Sequence, residues 1–143
     1  MLRTVSWILL ALVGALTLLA AIVSANLAYS GQEFPIGGIP VADVAAGRDG
    51  LELALRGMRG TAAAYAAAFA ACFLSVVVLP YRRGERWAWW VLLASLIVLV
   101  AVTGARVPAL GVWPGVGASL VQGGIGLLAL LLDVGRLRGV RTS

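Results

Sequence analysis

The residues of this sequence whose types could do chemistry lie near the boundaries of its apolar runs. Glu33, Glu52, Arg56, Arg59 and Arg106 are the principal set. Arginines grouped in this way hold an acidic headgroup through charge-assisted hydrogen bonds. Glu33, if partly buried, would act as a general acid toward a sterol-like or terpenoid substrate. The competing reading of the same five residues is a solvated interfacial cluster. Asp133 precedes Arg136 at the spacing of a local helical ion pair. Within the apolar runs, Cys72 reads as a small buried residue and Tyr65 as a space-filler against neighbouring alanines.

What is missing narrows the chemistry further. There is no histidine, so haem ligation by histidine, histidine-bearing metal sites and a histidine general base are excluded within this chain. One cysteine cannot perform the dithiol exchange of quinone-linked membrane oxidoreductases. A proton-coupled exporter of the small multidrug type needs a carboxylate in its first helix, and residues 5–25 contain none. No acid or base falls at the expected midplane of any run, where a functional charge would stand. A channel is disfavoured for the same reason. No cofactor and no metal are expected.

These residues must be positioned by membrane-spanning elements. Of the 143 residues 62% are hydrophobic and 12% charged, and the mean hydropathy is +1.00, outside the balance of soluble domains. Four runs, at about 5–29, 61–79, 87–105 and 115–132, approach the roughly 20 residues needed to cross a bilayer core. The first follows Arg3 and contains "VSA" at 23–25, as a signal peptide would, but it is longer than an h-region of about 7–15 residues. We read it as a retained span. All eleven basic residues are arginines distributed among span ends, which points to membrane lipids as partners rather than nucleic acid.

The stretch "YRRGERWAWW", residues 81–90, combines Arg82, Arg83 and Arg86 with Trp87, Trp89 and Trp90. Pro80 is expected to end one helix and Gly84 to form the turn. The tryptophans then sit at headgroup depth, with Trp7 at the same level and Tyr29, Phe34 and Trp113 at the opposite interface. The alternative for the arginines is an anionic-lipid headgroup site. With a cytoplasmic N-terminus, the inner side holds Arg3, Arg82, Arg83, Arg86, Arg136, Arg138 and Arg141, and the outer side Arg48, Arg56, Arg59 and Arg106. That asymmetry favours both termini in the cytoplasm of a bacterial cell, in a multi-pass protein of its inner membrane.

Residues 30–60 form the longest non-spanning piece. Its first half is rich in glycine and proline and is expected as an outer loop. The second half, "RDGLELALRGMRG", places Leu51, Leu55 and Met58 on one helical face and Glu52 four residues before Arg56. It reads as a short interfacial helix or as an extension of span two. Span two, "TAAAYAAAFAACFLSVVVL", is rich enough in alanine to approach neighbours on several faces, and a central place in a bundle is expected. Span four presents Gly115, Ser119 and Gly123 at intervals of four as a helix-packing face.

The order of a span, a long outer loop, a second span, "PYRRGERWAWW" and two closing spans resembles small bacterial four-helix membrane proteins of the DoxX-like kind. The resemblance implies a layout and brings no catalytic residues. The expected fold is all-α: a single domain over 1–143 forming a four-helix transmembrane bundle. The leading functional expectation is a non-enzymatic accessory or assembly subunit acting through helix packing, with a membrane-protein partner or as a homo-oligomer. The alternative is a lipid- or terpenoid-binding membrane enzyme with an outer-leaflet pocket under residues 31–60.

Overall fold

The computed structural model describes residues 2–111 and 116–137. Trp113, Gly115, Arg138 and Arg141, and the side chain of Arg136, lie outside the described residues. The chain is mostly helical. Helix α1 spans Leu2–Tyr29, and a two-stranded antiparallel hairpin follows, β1 Pro35–Ile36 and β2 Ile39–Pro40. Then come α2 Val41–Ala45, α3 Asp49–Val76, α4 Arg86–Gly104, α5 Arg106–Leu110 and α6 Val116–Leu132. Among the described residues, three helical segments, Leu2–Tyr29, Gly50–Tyr81 and Arg86–Ala109, are long and apolar enough to cross a membrane. Helix α6, with 17 residues, is a shorter apolar helix.

Two boundaries differ from the sequence expectation. The non-spanning piece before the second long helix is confined to residues 30–48, because α3 begins at Asp49 and runs without a break into span two. Of the two readings of residues 48–60, the extension is the one observed. The short helix of the loop is instead α2. Pro80 does not end its helix either. It sits within a π-helical turn, Val77–Tyr81, that leads into Arg82 and Arg83. Proline supplies no N–H and crowds the carbonyl four residues before it, and the wider π turn relieves both problems. The helix stops at Gly84, whose φ of +94° suits a residue without a Cβ.

The chain divides into two compact units, Met1–Ala15 with Cys72–Ser143, and Leu16–Ala71. In the first, α4 packs along α6 because two glycines remove bulk at the contact. Val100 lies against Gly123 and Leu96 against Gly126, where an added methyl would stand 2.6 Å from Leu96 Cδ1. Gly14 similarly admits Leu74. Leu10, Leu92, Leu96 and Leu130 are fully buried in this unit.

In the second unit the loop folds over its own small core of Phe34, Val41 and Ala45, all buried. The Val41 N–H donates to the Phe34 carbonyl across the base of the hairpin, at 3.0 Å. Outside these cores the long helices are apolar on their exposed faces as well, as with Leu12, Leu16, Leu19 and Ile22 on α1. Helices of this character suit a hydrocarbon solvent.

Helix α3 departs from the central position expected of it. Ala64, Tyr65, Ala68, Ala71 and Cys72 are exposed. Tyr65 is 74% exposed and fills no space among the alanines, and Cys72 is exposed rather than buried. Alanine content permits close approach on every face, but the phase of the larger residues decides which face is used. Phe73 and Val77 are the buried ones.

Candidate functional site

The last carbonyls of a helix have no partner within it, and in α6 two of them determine the local architecture. Ser6 of α1 is fully buried, and its hydroxyl donates to the Ala129 carbonyl at 2.6 Å. A serine has one hydrogen to give. The fully buried Tyr81, 2.6 Å from the same Oγ, therefore donates to Ser6. The next carbonyl, that of Leu130, accepts from the Asp133 N–H at 3.1 Å and from the indole N–H of Trp89 at 3.0 Å. Helix α1, the π turn, α4 and α6 thus meet through buried hydrogen bonds of specified direction.

This arrangement corrects the expectation that Trp87, Trp89 and Trp90 share one interfacial role. Trp87 and Trp90 are exposed, and the Trp87 indole donates to the Glu85 carboxylate. Trp89 is 6% exposed, edge-on to Trp90, and belongs to the core. At about 100° per residue, Trp87 and Trp90 fall on one side of α4 and Trp89 on another. Asp133 is buried and pairs with Arg3, a residue from the other end of the chain, at 3.6 Å.

Above this floor lies a recess of about 400 Å³ lined by Arg3, Thr4 and Trp7 from α1 and by Arg82, Arg83 and Gly84. The Arg82 guanidinium stands over the Trp7 ring, 5.2 Å from its centroid. Arg86 opens α4 and is exposed, outside the lining. Three guanidinium groups around a concavity with no acidic residue in its lining form a site suited to an anion.

The second unit contains most of the candidate loop residues. Arg56 donates through Nε to Glu52 at 2.8 Å, and through its terminal nitrogens to the carbonyls of Gln32 at 3.0 Å and Gly31 at 3.3 Å. It also approaches the Leu27 carbonyl in the last turn of α1, at 3.5 Å. Arg56 and Arg59 flank the buried Phe34, 5.4 and 4.2 Å from its ring centroid. The Arg59 Nε is buried and has no hydrogen-bond partner among the described residues.

Glu33 is exposed at the edge of a small open recess, about 160 Å³, formed with Phe34, Pro35, Gly38 and Pro40. The partial burial required of a general acid is absent there. The structure therefore brings Glu52, Arg56 and Arg59 together as a clamp on the loop. Arg106 is exposed at the start of α5, in the other unit.

Of the expected packing face on α6, Gly123 is buried and Ser119 half-buried. Gly126, which the expected face lacks, joins Gly123 in the observed contact. Ser6 and Tyr81 were also missed. Their signal was a hydroxyl inside an otherwise apolar run and a tyrosine at a proline-widened turn. No family model matches the chain, and no curated protein or solved structure shows significant similarity to it.

Proposed function

We propose that the chain is a small multi-pass membrane protein that acts as a non-enzymatic accessory or assembly subunit through helix packing. In this reading four helices cross a bacterial inner membrane and both termini are cytoplasmic. The layout shared with DoxX-like proteins agrees with it and contributes nothing catalytic.

The observation that supports the reading is the outward face of α3. Thr61, Ala64, Ala68, Ala71, Cys72 and Ser75 are small, exposed and repeat at helical spacing, with Tyr65 the bulky exposed residue among them. In a bilayer, where no hydrophobic force separates helix from lipid, such a face favours association because backbones approach closely and pack well.

The single cysteine makes the test direct. Crosslinking in native membranes with a short bismaleimide should trap Cys72 to a second copy or to another cysteine-bearing membrane polypeptide. Ala68→Leu, which adds bulk one turn away, should abolish the product. A monomer by native mass spectrometry that gives no Cys72 product would remove the basis of this role.

The alternative, a lipid- or terpenoid-binding enzyme with its pocket under residues 31–60, draws support from the unsatisfied Arg59 Nε. Arg56, engaged with Glu52 and loop carbonyls, serves there as a loop clamp. Single Glu33→Gln and Arg59→Gln variants that both leave a lipid-linked phenotype intact would eliminate it.

A further inference from the structure

We propose that the recess lined by Arg3, Thr4, Trp7, Arg82, Arg83 and Gly84 is a binding site for a phosphate-bearing anion, independent of the packing role. Its volume of about 400 Å³ falls in the range of about 300–1,000 Å³ typical of small-molecule sites. It is too large for a monatomic ion alone and suits a phosphate ester.

Charge is concentrated and largely uncompensated at this place. Among the described residues Arg3 is paired with Asp133 and Arg56 with Glu52. Neither engages Arg82 or Arg83. Arg3 is 69% exposed despite its pairing with Asp133, which uses its Nε at 3.6 Å. Glu85, the acid nearest in sequence to Arg82 and Arg83, accepts from Trp87.

The site is also held in shape before any ligand arrives. The Arg82 guanidinium is oriented by its position over the Trp7 ring, 5.2 Å from the centroid, and neither salt bridge takes up its N–H groups. Ser6 and Tyr81, adjacent in sequence to Trp7 and Arg82, are locked together and to α6 by the buried hydroxyl chain. The two walls of the recess therefore have fixed separation, which lowers the ordering cost of binding. Gly84 contributes no side chain, so the turn leaves the mouth open. Thr4 adds a neutral hydroxyl that can donate to phosphate oxygen.

The shared chemistry is a phosphate group with net negative charge, supplied either by an anionic lipid headgroup or by a soluble phosphate. The test uses the full chain in a nonionic detergent with three probes: dihexanoyl phosphatidylglycerol, sodium phosphate, and dihexanoyl phosphatidylcholine as the zwitterionic control. Binding is read by calorimetric titration and by adducts in native mass spectrometry.

Saturable one-to-one binding of the anionic lipid or of phosphate is expected, weakened about tenfold or more in Arg82→Gln and in Arg83→Gln. Arg82→Lys, which keeps the charge and loses the planar fork, should be intermediate. Arg48→Gln, at an exposed arginine of the other unit, should bind as the parent does. Binding of the glycerol lipid without competition by phosphate assigns a lipid headgroup, and competition at comparable concentration assigns a soluble phosphate.

The proposal is overturned if neither anionic probe saturates below about 10 mM. It is equally overturned if the zwitterionic control binds as well as the anionic lipid, or if Arg48→Gln weakens binding as much as Arg82→Gln. Circular dichroism of each exposed-site variant confirms that binding changes are read on folded protein.

Discussion

Replacing Ser6 by alanine should destabilise the protein more than removing the tyrosine hydroxyl it meets, and the double replacement should be milder than Ser6→Ala alone. The reasoning follows from hydrogen-bond direction. Ser6 Oγ is 2.6 Å from both the Tyr81 hydroxyl and the Ala129 carbonyl. Because the carbonyl only accepts, Ser6 gives its proton to Ala129 and receives one from Tyr81. Both side chains are fully buried, so water cannot replace a lost partner without rearrangement.

Ser6→Ala takes the Ser6 donor from the buried Ala129 carbonyl and the Ser6 acceptor from the buried Tyr81 hydroxyl. At about 1–3 kcal/mol for each such group, and with the smaller values measured for hydrogen bonds within membranes, the expected cost is about 2–4 kcal/mol. Tyr81→Phe removes one donor and leaves the Ser6 bond to Ala129 intact, for about 0.5–1.5 kcal/mol. In Ser6→Ala/Tyr81→Phe only the carbonyl is left unpaired, so about 1–3 kcal/mol is expected. Unfolding by titration with sodium dodecyl sulfate in mixed micelles, followed by circular dichroism, gives the three values. A Ser6→Ala cost no larger than that of Tyr81→Phe, or a double variant as costly as the sum of the singles, would refute the assigned directions.

Three further perturbations separate buried from exposed roles. Gly126→Ala should cost about 1–3 kcal/mol through overpacking against Leu96, whereas Gly124→Ala, with nothing within 4 Å of the added methyl, should stabilise α6 by about 0.5–1 kcal/mol; the same unfolding titration reports both. Trp89→Phe should cost about 1–3 kcal/mol because a buried side chain is truncated and the Leu130 carbonyl, which keeps the Asp133 N–H, loses its indole donor, and Trp90→Phe should stay within about 0.5 kcal/mol. Phe34→Ala should free the loop that Arg56 and Arg59 clamp, seen as faster tryptic cleavage after Arg48 with unfolding of the long helices unchanged.

The apolar runs were legible because hydropathy is a property of residues summed over a window, and α4 and α6 begin within a residue of the expected positions. The pairing of Glu52 with Arg56 was legible for a related reason, since both residues lie on one helix at fixed spacing. The phase of each helix was not. Trp89 and Trp90 are adjacent in sequence, yet one is a core hydrogen-bond donor and the other is exposed. Nothing in a uniformly apolar span marks the inward side, because lipid and core demand the same side chains. Asp133 illustrates the remaining gap: its pairing with Arg3 joins residues at opposite ends of the chain, which spacing along one helix does not reveal.

The polar groups of so apolar a chain can be sorted by whether the backbone needs them. Carbonyls at helix ends that water does not reach require donors from elsewhere in the chain. Ser6 meets that requirement for α6, where Trp89 adds a second donor to the Leu130 carbonyl beside the Asp133 N–H, and Arg56 meets it for the loop after α1 and approaches the last turn of that helix. These residues are structural, and changing them should alter stability before it alters any binding. Arg82 and Arg83 answer to no such need: among the described residues no carbonyl and no carboxylate engages them, and Trp7 orients one of the two. Like charges brought to one concavity repel, so their juxtaposition costs free energy in the empty protein. A bound anion would reverse the sign of that contribution. The same two substitutions that weaken phosphate binding should therefore leave the stability of the ligand-free protein unchanged or slightly raised, an outcome that separates a binding pair from a structural one in a single unfolding titration.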